Sequence, residues 1–197
     1  MSRLETRVKP VLVPLLTGSS IQLNKYNQEI LATWIAMKLQ ICEFSSKENA
    51  IVTPALERSL LMGRRIPPDI MAIWIAKYHG ERENSYFRQA GGIARINRQN
   101  GEMIPPIAPS DRPIVKTTQS QTLIIGELFI QAITTTVPGF VLKPPPSARA
   151  TLWQIWPFQR DFSWPPDSVI GDDEVNAIAT ALGRLIKTLR PAPTPLR

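Results

Sequence analysis

The sequence predicts an α+β fold, in which N-terminal helices lead into an antiparallel β-meander and a C-terminal helix closes the domain. Apolar residues recur with a helical period near both ends of the chain. The middle instead holds short apolar runs separated by turn residues. With 197 residues, 43% of them apolar, the chain can bury a core of its own. We therefore expect a single α+β domain over residues 1–190 and a proline-rich tail over 191–197.

Three helices are expected before the sheet. The first is short, because Pro10 and Pro14 would end it. The second carries so wide an apolar arc that it should lie in the centre of the core. The third begins where the Thr53 hydroxyl can cap a helix with Pro54 in its first turn. Their expected ranges are 2–16, 24–44 and 53–62.

The expected strands alternate with turn signals from residue 70 onward. Asn100-Gly101 is the dipeptide that favours a type I′ hairpin turn. Asp172 caps a closing helix whose apolar stripe begins at Val175, and Pro191 ends it. The expected strands are residues 70–78, 86–96, 103–104, 114–117, 123–135 and 152–156.

One lysine and one glutamate stand where the patterns predict apolar side chains. Lys38 lies opposite the polar stripe of the second helix, which consists of Glu29, Thr33, Ala36, Gln40 and Glu43. Glu127 shares a strand face with Leu123, Ile125 and Phe129. A buried charge needs a partner, so we hypothesise a buried or half-buried Lys38–Glu127 ion pair. It would fix helix against sheet, the commoner role, or orient a ligand.

The charge balance is basic, with 23 Lys and Arg against 16 Asp and Glu and a pI near 9.9. Residues 58–98 hold eight of the basic side chains against three acidic ones. Arginine can donate two hydrogen bonds to a phosphate, so this stretch is a candidate contact for DNA. The alternative, which is more frequent, is an ordinary solvated sheet face. The candidate nucleic-acid-binding residues are Arg64, Arg65, Arg82, Arg88, Arg95 and Arg98.

Aromatic residues concentrate between positions 153 and 164, among several prolines. Trp153, Trp156 and Trp164 are the candidate partner-binding residues, because exposed aromatic side chains often anchor interfaces. A rigid loop that plugs one end of the core is the more frequent arrangement for such a segment.

Much chemistry is excluded by composition. A single Cys and a single His rule out intrachain disulfides, multi-cysteine metal sites and two-histidine nuclease centres. His79 and Cys42 are more plausible as structural residues than as catalytic ones. We expect no cofactor, no metal, no catalytic residue and no membrane segment, and hence a protein of the cytoplasm. The sequence leaves the oligomeric state open.

Several short segments resemble a known family. They are 1–5 with Lys9-Pro10, 14–18, Leu31-Ala32-Thr33-Trp34 with Lys38, Pro67-Pro68 with 74–76, 122–128 and 155–157. Together they resemble uncharacterised bacterial proteins of the HNH-endonuclease type over most of the chain. In that family a Cys/His nuclease motif ending in Cys-Asn-x-x-Trp-Met precedes the Ser-Arg-Leu-Glu segment. This sequence begins at the position of that Met, and none of its residues matches the metal ligands or the catalytic His.

The resemblance implies a non-catalytic accessory domain, whose nuclease segment is missing through truncation or belongs to a relative that has lost it. Its partners would be DNA, through the basic residues, or the missing N-terminal nuclease segment. The alternative is a stand-alone protein–protein interaction module that uses the Trp/Pro-rich loop. An unrecognised hydrolase acting through His79 is the least favoured hypothesis.

Overall fold

The structure is a computed structural model of the chain. It describes residues 3–45, 53–91, 95–96, 103–104, 117–136, 144 and 148–187. The helices in this part are α1 (Arg3–Leu16), α2 (Lys25–Ser45), α3 (Ala55–Arg64) and α4 (Asp172–Lys187). The strands are β1 (Ile21–Leu23), β2 (Met71–Tyr78), β3 (Asn84–Gly91), β4 (Arg95–Ile96), β5 (Met103–Ile104), β6 (Thr118–Ile125), β7 (Leu128–Thr135), β8 (Trp153–Trp156), β9 (Phe162–Trp164) and β10 (Val169–Ile170).

The α+β class is confirmed, with helices at both ends of an antiparallel sheet. The strand order differs from a simple meander. The β6–β7 hairpin lies between β2 and β3, which gives the order β10-β2-β7-β6-β3. β8 also pairs with β2, in the antiparallel direction, and the short β10 pairs with β2 in the parallel direction. Two smaller pairs, β1 with β9 and β4 with β5, complete the described strands.

Strand β2 shows why the sheet carries helices on both faces. Its side chains alternate between two apolar cores, as a period of two requires. Ile73 and Ile75 point into the core formed with α1 and α2. Trp74, Ala76 and Tyr78 point into the core on the other face, which α4 covers. Burial on both faces explains why this run is almost continuously apolar.

The strand expected over residues 123–135 is in fact a hairpin of two strands, β6 and β7. Gly126 adopts a φ of 54°, in the left-handed region that favours glycine, and with Glu127 it forms the two-residue turn. Glu127 therefore lies in a turn. The prediction that it occupies a strand-face position, where an apolar side chain would belong, was wrong.

Helix α2 spans the expected range, but its second half is oriented differently from the prediction. Gln40 and Glu43 belong to the expected polar stripe and are buried, whereas Ile41 and Phe44 are about 60% exposed. At Glu43 the reason is that β6 presents an amide side chain to this end of the helix: Gln119 donates a hydrogen bond to the Glu43 carboxylate. Polar groups with partners can be buried, so the hydrophobic pattern alone gave the wrong face.

Helix α1 continues through both prolines that were expected to end it. Its buried residues Leu4, Val8, Val11 and Leu15 are spaced by three or four positions. This apolar stripe packs into the core and outweighs the poor helix propensity of proline. Of the expected 114–117 strand, Thr117 is described and precedes β6 without belonging to a strand, while residues 114–116 lie outside the described residues. The Asn100-Gly101 turn and the 191–197 tail also lie outside them.

Two glycines allow a matched test of this backbone account. A Cβ on Gly126 would lie 2.8 Å from the backbone oxygen of Leu16, at a positive φ. A Cβ on Gly63, in α3, would meet nothing within 4 Å. Gly126→Ala should lower the free energy of unfolding by about 1–3 kcal/mol, because strain and a backbone clash add. Gly63→Ala should raise it by about 0.5–1 kcal/mol through helix propensity. Urea denaturation measures both, and equal effects would contradict the assignment of the turn.

Candidate functional site

A concave site lies beside β8, at the side of the large sheet. Two adjoining cavities, of about 500 and 200 Å³, form a groove there that we call the β8 groove. They share Arg149, Leu152, Gln154 and Gln159. The larger adds Trp74 and Pro157, and the smaller adds Trp153, Arg160 and Phe162. Both the volume and the mixture of apolar walls with a few polar groups are typical of ligand sites.

The apolar wall of the larger cavity comes from strand β2 and from the segment before β8. Trp74 is directed away from the α1–α2 core by the strand period, and packs in the opposite core together with Leu152. Pro157 follows β8 and closes the other side. Trp74 and Leu152 are buried scaffold residues that fix the shape of this wall, whereas Pro157 is exposed.

The polar groups of the larger cavity are one guanidinium and two amides. Arg149 is exposed, and its Nε donates a hydrogen bond of 3.1 Å to the carbonyl oxygen of Pro144. Among the described residues no carboxylate lies within 4.0 Å of this guanidinium. Gln154 and Gln159 donate from Nε2 to the carbonyl oxygen of Pro157, at 3.1 and 3.4 Å. These bonds leave the two amide oxygens and the Arg149 Nη groups as possible ligand contacts.

The smaller cavity is built around Trp153. Its ring stacks on Phe162 with the centroids 4.8 Å apart, and the Arg160 guanidinium lies 5.1 Å from the ring centre. The backbone oxygen of Arg160 accepts a hydrogen bond of 2.9 Å from Gln28 of α2. The loop that carries Arg160 is thus tied to the core through its backbone, while its side chain is exposed.

The three tryptophans predicted to bind a partner do not form one surface. Trp153 lines the smaller cavity. Trp156 is half-buried and donates from Nε1 to the carbonyl oxygen of Pro68, at 3.2 Å. Trp164 is 1% exposed and belongs to the core, opposite Ile21 of β1. Of the three, only Trp153 lines the β8 groove.

The hypothesised Lys38–Glu127 pair is replaced by two other ion pairs. Lys38 Nζ lies 3.4 Å from Glu5 Oε1 of α1, and Glu127 Oε2 lies 3.3 Å from Lys77 Nζ of β2. The physical reason is the hairpin turn, which places Glu127 at the end of the sheet beside the last residues of β2. Lys38 meanwhile faces α1 and remains about 39% exposed, so neither charge is buried.

The predicted basic face is divided among different sides of the molecule. Arg82 pairs with Asp172 at 2.9 Å and bonds to Asn176, both on α4. Arg88 donates from Nε to Gln119, whose own partner is Glu43 of α2, on the opposite face of the sheet. Arg64 and Arg65 are exposed at the end of α3. The side chain of Arg95 and the whole of Arg98 lie outside the described residues.

A buried polar network escaped the sequence analysis. Glu43 is 1% exposed and accepts hydrogen bonds from the Thr53 hydroxyl, at 2.6 Å, and from Gln119. Gln121 donates to the backbone oxygen of Leu39 and to the Tyr86 hydroxyl, both at 3.0 Å. The network joins α2 to the start of α3 and to β6, so its evident role is to hold these elements together.

Neither reactive side chain singled out in the sequence belongs to a catalytic cluster among the described residues. Burial raises the pKa of the Cys42 thiol, which makes it a poorer nucleophile. His79 is exposed and follows β2. In the part of the chain that the structure describes, no three His, Cys, Asp or Glu side chains are grouped to hold a metal ion. None of the helices described is long and apolar enough to cross a membrane.

Comparison with protein-family models, curated proteins and solved structures gives no significant match. The resemblance to HNH-endonuclease-type proteins therefore stays a prediction. The function has to be argued from the geometry of the described residues.

The contacts of Asp172 predict a pH dependence of stability. The backbone N–H of Glu81, at 3.0 Å, the Tyr78 hydroxyl, at 2.7 Å, and Arg82 all favour its ionised form and lower the pKa of this carboxyl. A lowered folded pKa contributes stability that is present above the unfolded pKa of about 3.9 and is lost as the pH falls through the folded value.

We therefore expect Asp172→Asn to be destabilised relative to the parent at pH 7, and the difference to shrink below about pH 4. Asp167→Asn, at an exposed loop position, is the matched control and should track the parent at every pH. Thermal unfolding between pH 2 and 7 measures the difference. A gap between D172N and parent that does not change with pH would contradict the account.

Proposed function

We propose that this chain is a non-catalytic binding module, whose β8 groove holds a ligand that carries a carboxylate or phosphate beside an apolar group. The observation that carries the proposal is the position of Arg149. Arg149 lines both cavities, shares the larger with the apolar residues Trp74 and Leu152, and has no carboxylate within 4.0 Å of its guanidinium among the described residues.

Arginine suits this role chemically. Its planar guanidinium offers paired N–H donors that match the two oxygens of a carboxylate or phosphate, and it stays charged at any physiological pH. An apolar wall on one side reduces solvent screening of such a pair. Gln154 and Gln159 add amide groups that can bond to a polar part of the same ligand.

The composition of the groove also supports binding over catalysis. Its described lining residues are arginine, glutamine, tryptophan, phenylalanine, leucine, proline and alanine. None of these side chains exchanges a proton near neutral pH, and none is a customary nucleophile. General acid–base and covalent catalysis by these side chains therefore have no support in the groove.

This proposal develops the interaction-module alternative, with Trp153 as the one predicted tryptophan in the groove. It is also compatible with the accessory role that the HNH resemblance implies, because a binding module would complement a nuclease segment that cleaves. Nucleic acid remains a second candidate ligand, because Arg64 and Arg65 are exposed and the chain carries a net charge of +7.

The first test is a titration of intrinsic tryptophan fluorescence with acetyl-leucyl-glutamate amide. We expect saturable binding that Arg149→Glu weakens by about tenfold or more, the value of one lost charge-assisted hydrogen bond. Arg64→Glu is the matched control, since it makes the same charge change at an exposed position on α3. Equal loss in both variants, or no saturation with the parent protein, would overturn the proposal.

The nucleic-acid candidate makes a different prediction. Binding of a fluorescein-labelled 20-nucleotide DNA should weaken steeply with salt if phosphates are contacted. The double variant Arg64→Glu, Arg65→Glu should then lose affinity, while Arg149→Glu should lose little. Absent or salt-independent binding of the DNA would exclude this candidate.

A further inference from the structure

We propose that the occupant of the β8 groove is an extended acidic peptide, which adds to the outer edge of β8 as a further β-strand. This inference rests on the proposed function and specifies its ligand. Strand addition at a sheet edge is a known mode of peptide recognition, in which backbone hydrogen bonds give affinity and pockets for alternate side chains give specificity.

The edge of β8 is the first part of the argument. β8 uses one edge to pair with β2 over Trp153–Trp156. Among the described residues no strand pairs with its other edge. A free edge exposes backbone N–H and C=O groups that an incoming chain can bond. The groove adjoins β8, because Gln154 lines both cavities and Trp153 lines the smaller one, while the larger also reaches over β2 to Trp74.

The walls that the two cavities do not share belong to opposite faces of the sheet. The larger alone is lined by Trp74, which belongs to the core under α4. The smaller is lined by Trp153 and Phe162, which pack with the core under α1 and α2. Successive side chains of a β-strand point to opposite faces. A peptide strand beside β8 would therefore place neighbouring side chains in the two cavities.

The chemistry of each cavity specifies which side chain it takes. The larger cavity has the apolar wall of Trp74, Leu152 and Pro157 and fits an aliphatic side chain. The smaller adds Arg160 to Arg149, which lines both cavities, and neither guanidinium has a carboxylate within 4.0 Å among the described residues. It fits Glu or Asp. The preferred segment is thus an aliphatic residue followed by an acidic one, in extended conformation.

Charge and aromatic geometry favour a peptide over single-stranded nucleic acid. The net charge of +7 attracts any acidic chain. Stacking of bases, however, needs an open aromatic face. The Trp153 ring already has Phe162 stacked at 4.8 Å and the Arg160 guanidinium at 5.1 Å. The groove therefore offers charge and a strand edge, and no platform for bases.

The test uses the full chain and a capped octapeptide in which valine and glutamate alternate. Binding is followed by fluorescence anisotropy, and hydrogen exchange of the β8 amides is measured with and without peptide. We expect the outward-facing amides of Trp153–Trp156 to exchange at least tenfold more slowly in the complex. The same peptide N-methylated at alternate residues should bind at least tenfold more weakly, because its strand edge is blocked.

Two further comparisons separate the parts of the proposal. Replacing glutamate by glutamine in the peptide should weaken binding at least tenfold, and Arg160→Glu should do the same. Arg160 suits this test, because its backbone carbonyl makes the structural bond to Gln28 while its side chain is exposed. Arg64→Glu is again the matched control and should bind the peptide nearly as well as the parent.

The experiments distinguish a failure of strand addition from a failure of the proposed function. Arg149-dependent binding that tolerates N-methylation and leaves β8 unprotected would overturn strand addition while the proposed function stands. Binding of acetyl-leucyl-glutamate amide without binding of the octapeptide would have the same meaning. If neither compound binds in an Arg149-dependent manner, the proposed function fails and this inference fails with it.

Discussion

The arrangement of strands around β2 is the constraint on which the rest of the structure depends. β7 occupies one edge of β2 along almost its whole length. The other edge is divided between β8, opposite Ile73–Ile75, and β10, opposite Lys77–Tyr78. Helices then cover both faces, because alternate side chains of β2 are apolar on each. The short strand β8 therefore lies at the side of the sheet, and Trp74 of β2 lies next to it.

Local patterns were enough to predict the fold class and most helix positions. Periodicity located α2 and α4 closely, and β2 was evident from its run of apolar residues. The Thr53-Pro54 start signal located α3 within two residues, although the Thr53 hydroxyl donates to Glu43 and does not cap the helix. The two failures have different causes. Gly126, a turn residue visible in the local sequence, split one expected strand into a hairpin. Gln119 gave Glu43 a buried partner that reversed the expected face of the second half of α2, and this long-range contact leaves no signal in the local sequence.

The candidate site was less predictable than the fold for the same reason. The Trp/Pro-rich segment was noticed, and Trp153 does line the groove. Arg149, Gln154 and Gln159 were not singled out, because nothing in their local sequence distinguishes them from solvated polar residues. Their place in the groove comes from the fold, which brings them to the cavity that Trp74 lines, 75 to 85 residues earlier in the chain. Of the basic residues that did stand out, Arg82 and Arg88 are held by internal partners, whereas Arg64 and Arg65 are exposed.

The most direct test of the central claim is a double-mutant cycle between Arg149 and the acidic group of the ligand. The cycle combines Arg149→Gln with the replacement of acetyl-leucyl-glutamate amide by its glutamine counterpart, and measures all four dissociation constants. A direct contact predicts a coupling of about 1 kcal/mol or more between the two changes. Additivity within about 0.3 kcal/mol would show that Arg149 does not meet the carboxylate, and would contradict the account.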